Sequence, residues 1–265
     1  AKVFHEAGIS WTISSHASEA ANFGMFIGSY DNMRKLAMRI REAAIKLGVK
    51  RIVFGECGHA WRVAYSFLNT LAGPWDFLDQ NYPIPQHICE VTHGLIQENK
   101  LNFDKSKNDD MVLTYHDSCN VARASRMGDE AGGQFKIPRE VIKAACNNFY
   151  DMSADTIKEG TYCCGGGGGL LTDDLMELRV KGALPRMEAL RRVVEDNGVT
   201  HMAAICAICK SQFAKVFPYY DFSMDQIVSV HQLVSNALIL TGQNDENEDD
   251  NDDENHSQRD IDEAA

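Results

Sequence analysis

Short apolar runs alternate with longer stretches of helical periodicity along most of this chain. Lys50-Arg-Ile-Val-Phe54, Met111-Val-Leu-Thr-Tyr115 and Thr200-His-Met-Ala-Ala-Ile205 are short, apolar and bounded by polar residues, the pattern of buried strands. Between them the spacing changes to three and four. Asp31 stands before Met33, Leu36, Ile40, Ala44 and Leu47, with Gly48 as the stop, which predicts a capped amphipathic helix. Pro85 opens a stretch carrying Ile88, Val91, Leu95 and Ile96, and Pro138 reads as a first helical residue before Val141, Ile142, Ala145 and Phe149. Asp174 with Glu177 resembles a capping box, and Pro185 suggests a break or fresh start before Met187, Leu190, Val193 and Val194. Asn197-Gly198 closes that helix, and Ile227, Val230, Val234 and Leu238 mark a last one ending near Gly242.

Strands alternating with helices predict an α/β fold with small parallel sheets. In such sheets ligands sit outside the carboxyl ends of the strands. Each of the three strands runs into a cysteine within a few residues, namely Cys57, Cys119 and Cys206. The three are therefore expected on one rim.

The chain also repeats itself. From Cys164 to Cys206 is a step of 42 residues, and from Ser15 to Cys57 is the same step. Both intervals hold a glycine-containing loop, an amphipathic helix, a closing Gly-Val (Gly48-Val49, Gly198-Val199) and an apolar strand. The overlay sets Ser14-Ser15 against Cys163-Cys164 and Ala60 against Cys209, so the first copy keeps one thiol, Cys57. We expect two pseudo-repeated lobes, residues 1–108 and 109–242, with the site between them at the strand ends, and an acidic tail over 243–265.

Charge supports this division. The net charge of −12 is concentrated in the tail, where 11 acidic residues face the single Arg259, leaving the body near neutrality. A segment so charged and so poor in apolar residues is expected to be disordered. The body has no basic patch, which argues against a nucleic-acid partner. No apolar run approaches the length of a membrane span, and the start of the sequence has no export-signal pattern. The absence of an initial Met suggests a piece of a longer polypeptide. Eight cysteines without an export signal, in CC and CxxC spacings, read as reduced cytoplasmic ligands rather than disulfides.

Five of those cysteines form one constellation: Cys119, Cys163-Cys164 followed by Gly165 to Gly169, and Cys206-Ala-Ile-Cys209. Five thiols exceed a zinc tetrahedron, and thiolates hold iron–sulfur clusters. A Cys3His zinc site from His116, Cys119, Cys206 and Cys209 is the rival, but it leaves the doublet and the glycines without a task. The run lacks a following Lys-Ser/Thr, and Leu170 stands where a dinucleotide loop needs its last glycine. Amides of Gly165, Gly166 and Gly167 donated to sulfur are the more economical reading. His116 is a candidate hydrogen-bond donor to the cluster, against a strand-end histidine turned to solvent. Cys57, with His59 nearby, is a candidate substrate-side thiol, against a vestigial buried cysteine. Cys89 and Cys146 read as core residues on helices. Arg62, Arg123, Arg126 and Lys210 are basic residues that could steer an acidic partner.

At Cys119, Cys163-Cys164-Gly165 and Cys206-Ala-Ile-Cys209 the sequence resembles the CCG (cysteine-rich) domain family, which includes heterodisulfide reductase catalytic subunits and iron–sulfur subunits of glycolate and lactate oxidation. The likeness covers about residues 1–240. With Gly55-Glu-Cys-Gly-His-Ala-Trp-Arg62 in a degenerate first copy, it looks most like the DsrK branch of that family. The resemblance implies a noncubane 4Fe-4S cluster on the five cysteines, cleaving or forming a disulfide-type bond in two one-electron steps. It further implies a DsrC-type sulfur-carrier protein as substrate and quinone-linked membrane subunits as partners, with the chain peripheral on the cytoplasmic face. Ferredoxin-type cluster motifs, absent from this sequence, are expected upstream or in a partner. A pure electron relay and a zinc-stabilised binding module are the alternatives.

Overall fold

The structure, a computed structural model, describes residues 1–17, 22–169 and 171–241. The fold is α/β, with two parallel sheets flanked by helices. Two short helices, α1 (Lys2–Glu6) and α2 (Asn22–Phe26), precede α3 (Tyr30–Leu47), which buries Met33, Ala37, Ile40, Ala43 and Ala44. Gly48 ends α3 in the left-handed conformation at φ 63°, where a Cβ would be strained. The chain continues through β1 (Val53–Phe54), α4 (Gly58–Ala72), β2 (Gln86–His87) and α5 (Ile88–Gln97), and β1 pairs in parallel with β2.

The second sheet takes its strands in sequence order: β3 (Leu113–His116), β4 (His201–Ala204) and β5 (Ile227–Ser229), all parallel. Leu113 lies opposite His201, and Met202 opposite Ile227. Between β3 and β4 run α6 (Cys119–Ala124), α7 (Gly133–Ala145) and α8 (Met176–Asn197). After β4 comes α9 (Ala207–Val216), and α10 (Val230–Ala237) follows β5. The larger apolar core joins Trp61, Leu68 and Cys89 to Leu113, Val141 and Leu233, so it spans both sheets. A smaller core holds Ala183, Met187, Phe213 and Phe217 together with Cys164, Cys206 and Cys209.

Several local expectations need correction. Ser29, not Asp31, caps α3 by accepting from the Asn32 N–H at 3.3 Å; Asp31 lies in the first turn, where its charge suits the helix dipole. Pro85 does not open α5. His87 does, its Nδ1 accepting from the Cys89 N–H at 3.1 Å while Glu90 reaches back to the His87 N–H. Pro138 and Pro185 both sit inside continuous helices, α7 and α8. Each removes one backbone hydrogen bond and costs about 3 kcal/mol. Burial of Phe135, Val141 and Ile142 on α7, and of Ala183, Met187 and Leu190 on α8, offsets that loss. Asp174 forms no capping box, because a 3-10 turn over Asp173–Leu175 leads into α8 without a side-chain cap. Ile227 belongs to β5, and Cys146 follows α7 rather than lying on it. The acidic tail expected over 243–265, the stop at Gly242 and Leu170 lie outside the described residues.

A charged clasp joins the two sheets. Glu56 follows β1, and its carboxylate accepts from His231 Nδ1 at 2.6 Å, the His231 N–H at 2.7 Å, Lys210 Nζ at 2.7 Å and the Ser229 hydroxyl. The Glu56 carbonyl accepts from the Ala207 N–H at 2.9 Å, and His231 Nε2 lies 2.9 Å from Thr92 Oγ1. Burial alone would raise the Glu56 pKa, but the hydrogen bond and charge of His231, with Lys210, hold it down to about 2. A depressed carboxylate stabilises the fold fully above its unfolded pKa and loses that stabilisation as pH falls through the folded value. Urea unfolding should therefore show roughly 3 kcal/mol lost between about pH 4.5 and 2. Glu56→Gln should flatten that segment of the curve. A wild-type curve already flat there would contradict the assignment.

Candidate functional site

All three strand-end cysteines lie where a helix begins. Cys57 is the N-cap residue of α4, Cys206 that of α9, and Cys119 the first residue of α6. At β1–Cys57–α4 and at β4–Cys206–α9 the local arrangement is the same, a strand running into a cysteine that stands at the N-cap of a helix. Helix starts carry unpaired N–H groups and partial positive charge, which favour thiolates.

The thiols form a continuous arc. Cys119 interacts through its side chain with Cys163, Cys163 with Cys164, Cys164 with Cys209, Cys209 with Cys206, and Cys206 with Cys57. The site therefore assembles the five cysteines singled out in the sequence and adds Cys57 at one end. Cys163 is pulled below the usual thiol range by hydrogen bonds from Cys119 and Cys164 and by the amides of Gly167 and Gly165, the latter with its N–H 3.3 Å from Sγ. Cys206 is lowered too, by Cys209, Cys57 and then His59. The remaining members are raised: Cys57 chiefly as donor to Cys206, Cys119 and Cys164 as donors to Cys163, and Cys209 as donor to Cys164 and then Cys206, with burial adding to each.

His59 is buried, its Nδ1 3.6 Å from Cys206 Sγ, its ring edge-on to Phe26 and its Nε2 without a hydrogen-bond partner among the described residues. His116 is fully buried rather than turned to solvent. It stands edge-on to Phe213 at 4.8 Å, and neither ring nitrogen has a hydrogen-bond partner. Burial, followed by the charge of Arg186, lowers its pKa to about 3, so it is neutral and keeps one N–H to donate. Gln212 Nε2 is a further buried donor left open beside the glycine loop.

These features fit an iron–sulfur cluster. Among the described residues, the groups of three metal-type ligand atoms within 4.8 Å of one another are Cys57, His59 and Cys206, and Glu56, Cys89 and His231. The five predicted ligand thiols never gather that tightly, and His116, Cys119, Cys206 and Cys209 do not converge as a zinc tetrahedron requires. An extended arc suits a body of several irons, with open donors around it to bond its sulfurs. Glycine keeps the backbone close. A Cβ at Gly166 would lie 3.3 Å from Cys164 Sγ, and one at Gly58 would lie 2.5 Å from Ser118 Oγ and 3.4 Å from Cys206 Sγ.

On the first-copy side, a cavity of about 490 Å³ is lined by Ser14, Cys57 and Ala60 with apolar residues of α3 such as Ile40 and Ala44. Ser14, Cys57 and Ala60 are the positions that the overlay sets against Cys163, Cys206 and Cys209. Of the basic residues, Lys210 is held by Glu56, Arg62 donates to Asn120 Oδ1, and Arg123 to the carbonyls of Glu159 and Thr161. They brace the site. Cys89 and Cys146 are buried and stand apart from the arc.

The sequence reading passed over two features. Asp117, within His116-Asp-Ser-Cys119, anchors the loop before Cys119. Its carboxylate takes a two-pronged bond from Arg139 and the Lys158 N–H at 2.8 Å. Glu56 stands where the second copy has Ile205, and a charge at an otherwise apolar strand end was the available signal.

No family model matches the chain. It is 40% identical over 260 residues to the Hdr-like menaquinol oxidoreductase iron-sulfur subunit of Archaeoglobus profundus, covering 88% of this chain and 45% of that protein. A second such subunit, from Archaeoglobus fulgidus, is 39% identical with the same coverage. A subunit of the dihydromethanophenazine:CoB–CoM heterodisulfide reductase of Methanosarcina mazei is 30% identical over 220 residues, 79% of this chain and 46% of that protein. The chain thus spans a little under half the length of these relatives.

Proposed function

We propose that this chain, whose relatives support an Hdr-like family of iron–sulfur oxidoreductase subunits, carries one noncubane 4Fe-4S cluster on Cys119, Cys163, Cys164, Cys206 and Cys209. Its substrate is the disulfide or trisulfide of a small sulfur-carrier protein of the DsrC type, as in the DsrK branch, and its electrons pass through ferredoxin-type clusters and quinone-linked membrane subunits. Among the described residues no helix is long and apolar enough to cross a membrane, which accords with attachment through partners.

When bound, the cluster supplies or accepts electrons one at a time at an S–S bond. The carrying observation is that the arc of sulfurs ends in Cys57, beside Cys206 and on the wall of the first-copy cavity. That cavity gives a sulfur-bearing arm a route to the arc. Reduction of one S–S bond takes two electrons and two protons. His59, with Nδ1 at Cys206 and Nε2 free of hydrogen bonds, is placed to hand a proton to a departing thiolate. The amides of Gly165 and Gly167 donate to Cys163, and neutral His116 keeps an open N–H that a sulfur of the bound cluster would take; donors there stabilise the more negative, reduced state.

The test is anaerobic purification with iron and acid-labile sulfide analysis, followed by EPR of the oxidised protein with and without the carrier's trisulfide. Iron with sulfide and a substrate-dependent spectral change are expected. Cys57→Ser should keep the iron and lose most of that change. Stoichiometric zinc without iron would sink the cluster. A full cluster signal indifferent to the carrier would favour a second reading, the electron relay, which the menaquinol oxidoreductase name of the Archaeoglobus relatives supports.

A further inference from the structure

Among the described residues of the second half of the chain, three arginines are buried: Arg139, Arg179 and Arg186. Two of them have carboxylates. Arg139 forks onto Asp117 at 2.9 and 2.7 Å and reaches Asp151 through Nε at 2.9 Å. Arg179 lies 3.6 Å from Asp173 and donates to Gln212 Oε1 at 2.8 Å.

Arg186 is different. It is 0% exposed, and among the described residues no carboxylate lies within ion-pair distance of it. Its guanidinium meets Met152 Sδ, the Thr156 carbonyl and Thr161 Oγ1 at 2.8 Å, faces the Tyr162 ring at 5.8 Å, and leaves Nε without a partner. Asp117, which contributes charge at longer range, is already occupied by Arg139. A buried cation without a counter-ion is strongly unfavourable, and proteins pair it or place an anion beside it.

The surroundings say where that anion belongs. Arg186 lies on α8 between Ala183 and Met187, which pack in one core with Cys164, Cys206 and Cys209. Its partner Thr161 donates to the Asp117 carbonyl at 2.7 Å, tying the approach to Cys163 to the approach to Cys119. Burial lowers its pKa to about 10, and Cys209 and Cys164 are among the groups that push it back up.

We propose that Arg186 is the built-in counter-charge of the thiolate-held cluster, a positioning residue that raises the cluster's reduction potential and is unfavourable in the empty protein. The inference rests on the cluster reading above. The added electron makes the cluster more negative, and a fixed positive charge in a dry core favours that state.

The experiment compares wild type, Arg186→Gln, Arg186→Lys and the half-exposed Arg191→Gln on the same helix. The cluster is reconstituted anaerobically, iron is counted, and the midpoint is read by EPR-monitored titration. The melting temperature of each empty chain is measured in parallel. Arg186→Gln should hold iron with a midpoint clearly below wild type, whereas Arg186→Lys and Arg191→Gln stay near it. Empty Arg186→Gln should melt higher than empty wild type, by about 3 °C. An Arg186→Gln protein with full iron and a wild-type midpoint would overturn the proposal. So would an empty Arg186→Gln chain that melts lower or fails to fold, since Arg186 would then serve the fold alone. Wild type without iron would instead overturn the cluster reading beneath it.

Discussion

Cys164→Ser, purified without oxygen, is expected to come off the column without iron and without visible colour, whereas Cys89→Ser and Cys146→Ser should keep both. Cys164 is buried in the middle of the arc, with Cys163 on one side and Cys209 on the other. A serine oxygen there is shorter, harder and almost never ionised, and iron–sulfur clusters select soft thiolates. Removing a central member of the proposed ligand set should cost more than the ~10–100-fold in metal affinity that follows loss of a supporting residue. Cys89, buried beside Glu56 and His231, and Cys146, in the larger apolar core, stand outside the arc and should not affect iron content. Iron retained in Cys164→Ser at the wild-type level would remove this thiol from the ligand set.

The largest loss of stability is expected from Gly165→Ala. Gly165 has φ 90°, and a Cβ would lie 2.2 Å from the Arg179 carbonyl oxygen, 2.9 Å from Gln212 Nε2 and 3.0 Å from the Ala183 Cβ. The first of these is backbone of α8, so relief requires the helix to move. We expect about 4 kcal/mol or more in urea unfolding, the range reserved for clashes and backbone strain in a core. Gly168→Ala is the matched control: φ is 79° but, among the described residues, nothing lies within 4 Å of its Cβ, so the expected loss is the backbone strain, about 1–2 kcal/mol. Equal losses in the two variants would mean that the loop does not press on α8.

Chemistry was more legible in the sequence than local structure. Strands β1, β3 and β4 and the stops at Gly48 and Gly198 follow from short apolar runs and from glycine's ease at positive φ. Cys119 and Cys206 share a rim because the neighbouring parallel strands β3 and β4 deliver their carboxyl ends there. Cys57 instead follows β1 of the other sheet and reaches Cys206 through the packing of the two sheets, a placement the expectation of a single rim missed. Pro138 and Pro185 misled because tertiary burial outweighed a local helix penalty. Strand β2 has two residues, too few for any period, and it merges with the cap of α5. The partners of Glu56 lie more than 150 residues away, and no spacing rule connects them. His116 looked like a polar strand end but is sealed by Phe213 from α9, a contact that only the packing of helix on sheet creates.

The arc of thiols also decides how the protein must be made. A thiolate beside a partner thiol is the arrangement through which oxidants close disulfides. Here Cys163 and Cys206 are the readily ionised members, each flanked by further sulfurs. Before loading, the same residues that would grip iron are therefore primed to cross-link with one another in air. If the arc holds the proposed cluster, iron and sulfide would compete with oxygen for one set of sulfurs, and the order in which they arrive would separate a loaded subunit from one locked shut by its own ligands.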